Sequence, residues 1–443
     1  MPQSNLVTAL FEKKGFKKYF FNTGWLMMNN VVRLVMGLLV GLLVARYLEP
    51  ERYGLYNFAI SFVALFGAFG NLGLDWIVTR NAVEHPEQRN QLLGTAFVLR
   101  VIGGFVVAAL ALGAIQFTGS DRLTVILVAI IAIGPVFQSF TIIEQYFQAQ
   151  VKGRLAAISN MASLTVLSII KIVLVWCQAS LIWFVWAIVL YRLTTGALLC
   201  FMYVKQHGSL LEWRFRCTKA KSMLKDSWPL MVSGMMIMVI MRVDQVMLKV
   251  MLGNEAVGIY VPAVKLSEIW YFLPAVISKS IFPAILNAKG DDSLYYARLQ
   301  GLFSMLIWMA VALAIPISIL SEPIVSLLYG ANYKGSGAIL AIYVWAGIPV
   351  FFGAAWGKWI LSENHQKIVL LTNGFSMVIN VILNVILIPR IGAAGAAWAT
   401  VIAASASQVA GLLTYRRHIS LRMLYRSFWI TTLTSQVRAI FRR

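Results

Sequence analysis

The sequence predicts an all-α polytopic membrane protein, with twelve transmembrane helices in two pseudo-symmetric six-helix lobes around a central cationic cavity. Three observations carry that prediction. First, 60% of the 443 residues are hydrophobic and only 12% are charged, so apolar runs of about 20 residues, the length that crosses a bilayer, follow one another along the chain. Second, LEPERYGLYNFA at 48–59 aligns at one constant offset with LGNEAVGIYVPA at 252–263. Leu48 pairs with Leu252, Glu51 with Glu255, Gly54 with Gly258, Tyr56 with Tyr260 and Ala59 with Ala263. Third, ionisable side chains stand inside the apolar runs, where each costs about 2.5–3.5 kcal/mol on insertion scales and therefore faces a cavity or a partner. A helix–loop–helix present twice, one copy rich in charge and one poor, implies two repeated halves around a polar path.

Hydropathy places the spans at 24–46, 54–78, 91–116, 122–147, 156–177, 180–204, 228–252, 257–287, 299–321, 338–361, 367–388 and 392–415. The second and eighth are longer than a bilayer requires and carry polar residues towards their ends, which fits tilting. The first is a true span and not a cleaved leader: the basic Lys13, Lys14, Lys17 and Lys18 precede it, but the apolar run holds Asn29, Asn30 and Arg33 and lacks a small-residue exit. Pro135, Pro262, Pro274, Pro283, Pro316 and Pro349 fall in or near spans and predict kinks. Small residues in GAAGAAWATVIAASAS (392–407) and at Gly37 and Gly41 predict close helix packing.

The longest connection, 205–227, separates six spans from six, which gives an N-lobe (1–204), a basic linker (205–227), a C-lobe (228–415) and a basic tail (416–443). An interfacial helix is expected through Leu211–Phe215. Because each half has six spans, both copies share one orientation, a parallel repeat. Trp186-Ala187 against Trp398-Ala399, and QVKGR (150–154) against ENHQK (363–367), extend the repeat at a slightly larger offset.

The net charge of +21 is placed asymmetrically. One set of loops holds the basic N-terminus, Arg80, Arg89, Lys152, Arg154, the linker, Lys289, Arg298, Lys367 and the tail. The other holds Arg46, Arg52, Arg122, Lys334 and Arg390. The positive-inside rule then puts both termini in the cytoplasm. Cys177, Cys200 and Cys217 have no metal or disulfide spacing, and the four histidines lie in loops, so no metal and no cofactor are expected. No G-x-x-x-x-G-K-[ST] loop exists to hold a nucleotide.

Within the spans Arg33, Arg100, Lys171, Arg192, Arg242, Lys249, Lys265, Lys279 and Lys358 outnumber Asp75, Glu144, Asp244 and Glu268. That surplus suits a large anion better than a neutral or cationic substrate. Lys249 and Lys279 sit near span ends and can snorkel. Arg100 and Arg192 read as structural bridges to Glu144 or to backbone carbonyls. Arg33, Arg242, Lys265 and Glu268 sit too deep for that reading. Arg33, with Asn29 and Asn30 a turn before it, together with Arg242 and Lys265, is placed to give charge-assisted hydrogen bonds to phosphate oxygens. Asn30, Arg33, Arg242 and Lys265 are therefore the expected substrate-binding set. Asp244 and Glu268 are the expected ion-coupling pair. Lys265 and Glu268, three apart on one helix face, are also placed to pair with each other.

The stretch DQVMLKVMLGNEAVGIYVPAVKLSEIWYFLPAVISKSIFPAI and the LEPERYGLY loop resemble the O-antigen and polysaccharide repeat-unit flippases of the multidrug/oligosaccharidyl-lipid/polysaccharide exporter superfamily. The resemblance covers nearly the whole chain. It implies a non-enzymatic transporter of the bacterial inner membrane that moves an undecaprenyl-diphosphate-linked oligosaccharide to the periplasmic leaflet by alternating access, as part of lipopolysaccharide or surface-polysaccharide biosynthesis. It implies partners in the lipid bilayer, a polysaccharide polymerase and a chain-length regulator, and none in nucleic acid. In that family's pattern cavity arginines and acids on the first, seventh and eighth spans matter, and Arg33, Arg242, Asp244, Lys265 and Glu268 occupy comparable places. The rival readings are a cation-coupled multidrug exporter of the same superfamily, which would favour acids over a surplus of Arg and Lys, and an integral-membrane glycosyltransferase or polymerase, which would need acid/base or metal-binding residues and larger periplasmic loops.

Overall fold

The computed structural model describes residues 14–415 and 417–428, and among these every regular element is helical. In chain order they are α1 (Lys14–Leu65), α2 (Gly67–Asn71), α3 (Leu74–Glu84), α4 (Arg89–Ile115), α5 (Arg122–Gln138), α6 (Ile142–Ala149), α7 (Gly153–Trp176), α8 (Leu181–His207) and α9 (Cys217–Leu252). There follow α10 (Asn254–Glu268), α11 (Phe272–Leu286), α12 (Asp292–Ile319), α13 (Ser321–Tyr329), α14 (Ser336–Tyr343), α15 (Gly347–Ser362), α16 (Gln366–Ile391), α17 (Ala393–Thr414) and α18 (Arg417–Ser427).

Ten of the resulting segments are long and apolar enough to cross a bilayer. One of them, Gly24–Leu65, is two helices joined across a break at Glu49. The 36-residue α9 adds a further passage whose apolar stretch is interrupted by Arg242, Asp244 and Lys249. The twelve expected passages are thus present. Large apolar side chains such as Leu39, Phe105, Ile169, Leu371 and Ile382 stand exposed along them, as lipid-facing positions must.

Contacts group the residues through Leu48 with Ala59–Met238, and the residues Glu49–Phe58 with those from Val239 onward. The first unit has a core around Phe147, Tyr203, Leu93 and Leu199. The second has a core around Phe303, Trp359, Phe351 and Leu412.

The sequence repeat reappears as a repeat of backbone conformation. Glu49 takes φ 58, ψ 169, and Gly253, which the alignment puts opposite it, takes φ 92, ψ −176. This corner of conformational space is almost confined to glycine, yet in the first copy a glutamate occupies it. Val151 (φ 57) and Asn364 (φ 61) are likewise matched in the late part of the alignment. Single 3₁₀ turns interrupt both the fourth passage, at Ser139–Thr141, and the tenth, at Val344–Ala346.

The two long passages are segmented rather than merely tilted. The second breaks at Phe66 and again at Leu72 and Gly73, both left-handed. The eighth breaks at 269–271, where the bonding tightens to Tyr271 N–H on the Glu268 carbonyl, 3.0 Å, and Leu273 N–H on the Trp270 carbonyl, 3.0 Å. Pro274 explains that break: it lacks an N–H and its ring would strike the carbonyl of Trp270 four residues back. Pro262 lies inside α10 without interrupting it.

Two expectations need correcting. Leu211–Phe215 is no interfacial helix. It contains part of one 3₁₀ turn, Leu210–Glu212, followed by extended Trp213, and α9 begins at Cys217, so the non-helical connection is only 208–216. Close packing is real at Gly395, where a Cβ would come within 2.5 Å of the Leu387 carbonyl oxygen of α16, but Gly37 and Gly41 face open space. The basic residues expected at Lys13, Arg416, Arg438, Arg442 and Arg443 lie outside the described residues.

The tightest crossing within the second unit joins the two copies of the repeat. A Cβ on Gly54 would overlap the carbonyl oxygen of Asn254, and one on Gly258 would overlap that of Pro50. Because Pro50 and Asn254 are themselves repeat partners, the contact is reciprocal, each glycine admitting the other helix's backbone.

Candidate functional site

Four of the six residues singled out by sequence come together in the second unit, on α9 and α10. Arg242 and Asp244 are two apart, so a helix turns them to different sides, and they have different partners. The Arg242 guanidinium, half-buried, lies 3.9 Å from a Glu268 carboxylate oxygen. That is ion-pair range but longer than a charge-assisted hydrogen bond. The other Glu268 oxygen is buried and has no hydrogen-bond partner among the described residues. Glu268 is the last residue of α10, just where the passage breaks, so the break positions this carboxylate at a helix end instead of within a continuous stripe.

Asp244 is fully buried and well served. One oxygen accepts from the Tyr260 hydroxyl and the other from the Gln245 N–H at 2.7 Å. The Thr400 hydroxyl of α17 donates to the Ala396 carbonyl at 3.1 Å and lies near the same Tyr260 hydroxyl. Asn380 donates to Thr400 at 3.4 Å, and Asn384 donates to Asn380 at 3.0 Å. All of Tyr260, Asn380 and Asn384 are buried. Two polar clusters, Asp244 with Tyr260 and Asn384–Asn380–Thr400, therefore stand near each other inside apolar helices, where each such group must find a partner.

Lys265 does not pair with Glu268. Its ammonium donates to the Tyr53 hydroxyl at 2.7 Å and lies 4.9 Å from the centre of the same ring. Tyr53 meets Tyr333 edge-on at 6.1 Å. A lysine gains here both a hydrogen bond and the negative face of a ring. The Lys249 ammonium lies over the Phe58 ring, 4.8 Å from its centre.

Arg33 and Asn30 lie in the first unit on α1, both exposed, and the guanidinium donates to the Asn30 amide oxygen at 3.2 Å. Arg33 lies near enough to Glu144 and Tyr191 for its charge to act on both. Glu144 itself receives the amides of Gln148 and Asn160, each at 3.4 Å. It is not the partner of Arg100 or Arg192. Arg100 is held by Asp75 and, at 2.8 Å, by Thr141, and Arg192 bonds the Gln138 side-chain oxygen.

Sequence reasoning missed Tyr53, Tyr260, Thr400, Asn380 and Asn384. Tyr260 was in plain view as the repeat partner of Tyr56, but a lone tyrosine in an apolar helix reads as core. Asn380 and Asn384 had a usable signal, two amides one helical turn apart in an otherwise apolar span.

The sequence profile of the family described as "Polysaccharide biosynthesis protein" matches residues 20–289. The chain belongs to that family. Within reach of it, the Haloferax volcanii protein named "Probable low-salt glycan biosynthesis flippase Agl15" is 23% identical over 200 residues, covering 44% of this chain and 42% of that relative. The match thus spans about two-fifths of the relative's length. Among solved structures, "Lipid II flippase MurJ, inward closed conformation" superposes with a TM-score of 0.71 at 16% identity, over 95% of this chain and 96% of that one. An inward-facing multidrug resistance MATE family transporter of the MOP superfamily superposes with a TM-score of 0.69 at 15% identity, over 88% and 98%. At such identities the likeness is one of fold, and this polysaccharide biosynthesis protein shares its fold with transporters of both kinds.

Proposed function

We propose that this protein is a flippase that carries an undecaprenyl-diphosphate-linked oligosaccharide repeat unit from the cytoplasmic to the periplasmic leaflet by alternating access, driven by an ion gradient. The observation that carries the reading is the Arg242–Glu268 pair. Its 3.9 Å separation and the unpartnered Glu268 oxygen leave both groups under-satisfied at membrane depth. A diphosphate offers Arg242 a better, bidentate partner than Glu268 does, and protonation of Glu268 would release the arginine without stranding a charge. Arg33, Asn30 and Lys265 supply further donors for phosphate oxygens, with Lys265 held back by Tyr53 until the anion arrives. Asp244 and Glu268 are the ion-coupling acids in this scheme, and the Tyr260 hydroxyl and the Gln245 N–H hold the first of them in a defined geometry. In this reading the basic loops face the cytoplasm with both termini, the membrane is a bacterial inner membrane, and a polymerase and a chain-length regulator take up the product.

The test is made in a strain lacking the protein, by quantifying surface polysaccharide and the lipid-linked oligosaccharide that remains on the cytoplasmic face. Loss of polymer with accumulation of the lipid-linked unit, restored by the wild-type chain and not by Arg242→Ala at equal protein level, is the expected result. Normal polysaccharide together with increased sensitivity to cationic drugs would overturn it in favour of a cation-coupled exporter, the reading to which the buried acids Asp244 and Glu268 lend most weight.

A further inference from the structure

The first unit contains an intramembrane cavity of about 80 Å³ between α1, α2, α4, α5 and α8. That volume holds several water molecules but no sugar or diphosphate. Two arginines line it, Arg100 from α4 and Arg192 from α8, together with Gln138 and Asn71, and among the residues that line it none is acidic.

Its donors are better supplied than its acceptors. The Arg100 side chain is 1% exposed, and Asp75 and Thr141 engage its two terminal nitrogens, but its Nε–H is buried without a partner among the described residues. Arg192 spends one terminal nitrogen on the Gln138 oxygen. A guanidinium carries five N–H donors, so others remain. With its oxygen accepting from Arg192, Gln138 keeps its two amide N–H groups as donors. Gly134 is what lets Arg192 lie there, since a Cβ at that position would stand 2.8 Å from Arg192 Cδ and 3.0 Å from Nε. Asp75 offsets one of the two positive charges from outside the cavity, and its side chain is half exposed. A desolvated arginine whose hydrogen-bond partner is a neutral amide, beside a second one with an idle N–H, is an arrangement that a negative charge would complete.

We propose that this cavity binds one small inorganic anion of the chloride class, between Arg192, the Nε–H of Arg100 and the amide of Gln138. The site belongs to the interior of the first unit and is separate from the Arg242–Glu268 pair. The bound anion acts as a fixed counter-ion for the two arginines.

The experiment uses the full-length protein in nanodiscs of zwitterionic lipid, with chloride exchanged for gluconate at constant ionic strength. The thermal unfolding midpoint is expected to rise saturably with chloride. Arg192→Gln is expected to raise the half-saturating concentration roughly ten-fold or more, the scale of one charged hydrogen bond, and Arg192→Lys to fall between. Arg242→Ala should leave the chloride response unchanged. Equal midpoints in chloride and gluconate would overturn the proposal. So would an unaltered response in Arg192→Gln, or its loss in Arg242→Ala. If Arg192→Gln does not fold, ³⁵Cl line broadening on the wild-type protein decides, because the proposal requires saturable broadening that bromide displaces and fails without it. Transport enters neither readout, so the flippase reading stands or falls separately.

Discussion

The two units solve the problem of buried polarity in opposite ways. In the first, arginine is the deeply buried ion: Arg100 is 1% exposed and its acid, Asp75, reaches outward. In the second, the acid goes deep: Asp244 is fully buried with hydroxyl and N–H donors around it, while Arg242 stays half exposed. Sequence repetition therefore preserved the backbone and exchanged the chemistry. The matched conformations at Val151 and Asn364, one in each unit, and at Glu49 and Gly253, one in each copy of the repeat, show backbone features held in common. The polar interiors show how freely side chains diverge on it once each buried group has its partner.

The sharpest way to break the comparison is at the element both copies share. Gly54→Ala and Gly258→Ala each drive a methyl into a backbone carbonyl that cannot step aside. Each is expected to cost about 3 kcal/mol or more, as severe overpacking does, and to abolish the folded protein recovered in detergent. Gly41→Ala, where nothing lies within 4 Å, should be neutral or slightly stabilising through helix propensity. If all three behaved alike, the crossing would not be the constraint it looks to be.

The buried acid comes next. Tyr260→Phe removes the hydroxyl that Asp244 accepts from and leaves the Gln245 N–H as its remaining donor at this site. About 1.5–3 kcal/mol of stability should go with it, the worth of a hydrogen bond to a charged group. Tyr260→Phe combined with Asp244→Asn should cost less than the two single changes added together, because the carboxylate left unserved by one is removed by the other. Additive losses in unfolding midpoints would show that the two residues are not coupled.

Glu49 offers a change in the other direction. It occupies a conformation that costs about 1–3 kcal/mol outside glycine, and its side chain gives back one long hydrogen bond, from Asn332 at 3.3 Å. Replacing it by the glycine of its repeat partner gains that strain and loses roughly 1 kcal/mol to the greater freedom of the unfolded chain. Glu49→Gly is expected to raise the thermal midpoint by about 1 kcal/mol equivalent, while Gly253→Glu lowers it. A loss of stability in Glu49→Gly would mean that the Asn332 contact outweighs the backbone.

Helix number and the sequence repeat were legible because both rest on long, local signals: apolar length, and identities such as Leu48/Leu252 and Gly54/Gly258. The burial of Asp244 follows from the same apolar context. Partner choice was not. That Lys265 would take Tyr53, and Arg242 would take Glu268, depends on which helix faces meet more than 200 residues apart or across a helix break, and spacing along one helix argued for Lys265 with Glu268 instead. The cavity between Arg100 and Arg192 was hidden likewise, since what makes it is Gly134 clearing a path for a side chain on another helix.

Arg242→Ala carries the smallest expected effect on stability and says the most about the difference between the units. The pair with Glu268 is 3.9 Å long, with side chains 32% and 18% exposed, longer than a charge-assisted hydrogen bond, so its loss is expected to cost less than the contacts of the fully buried Arg100. Arg100→Ala should cost several times more, because it empties a fully buried site and leaves Asp75 and Thr141 without their donor. Unfolding midpoints of the two variants in one lipid should therefore separate, with Arg242→Ala near wild type. An arginine at membrane depth that contributes so little to folding is held there for something other than the fold. Were Arg242→Ala as destabilising as Arg100→Ala, the arginine would be a structural bridge, and the flippase reading would lose the observation on which it rests.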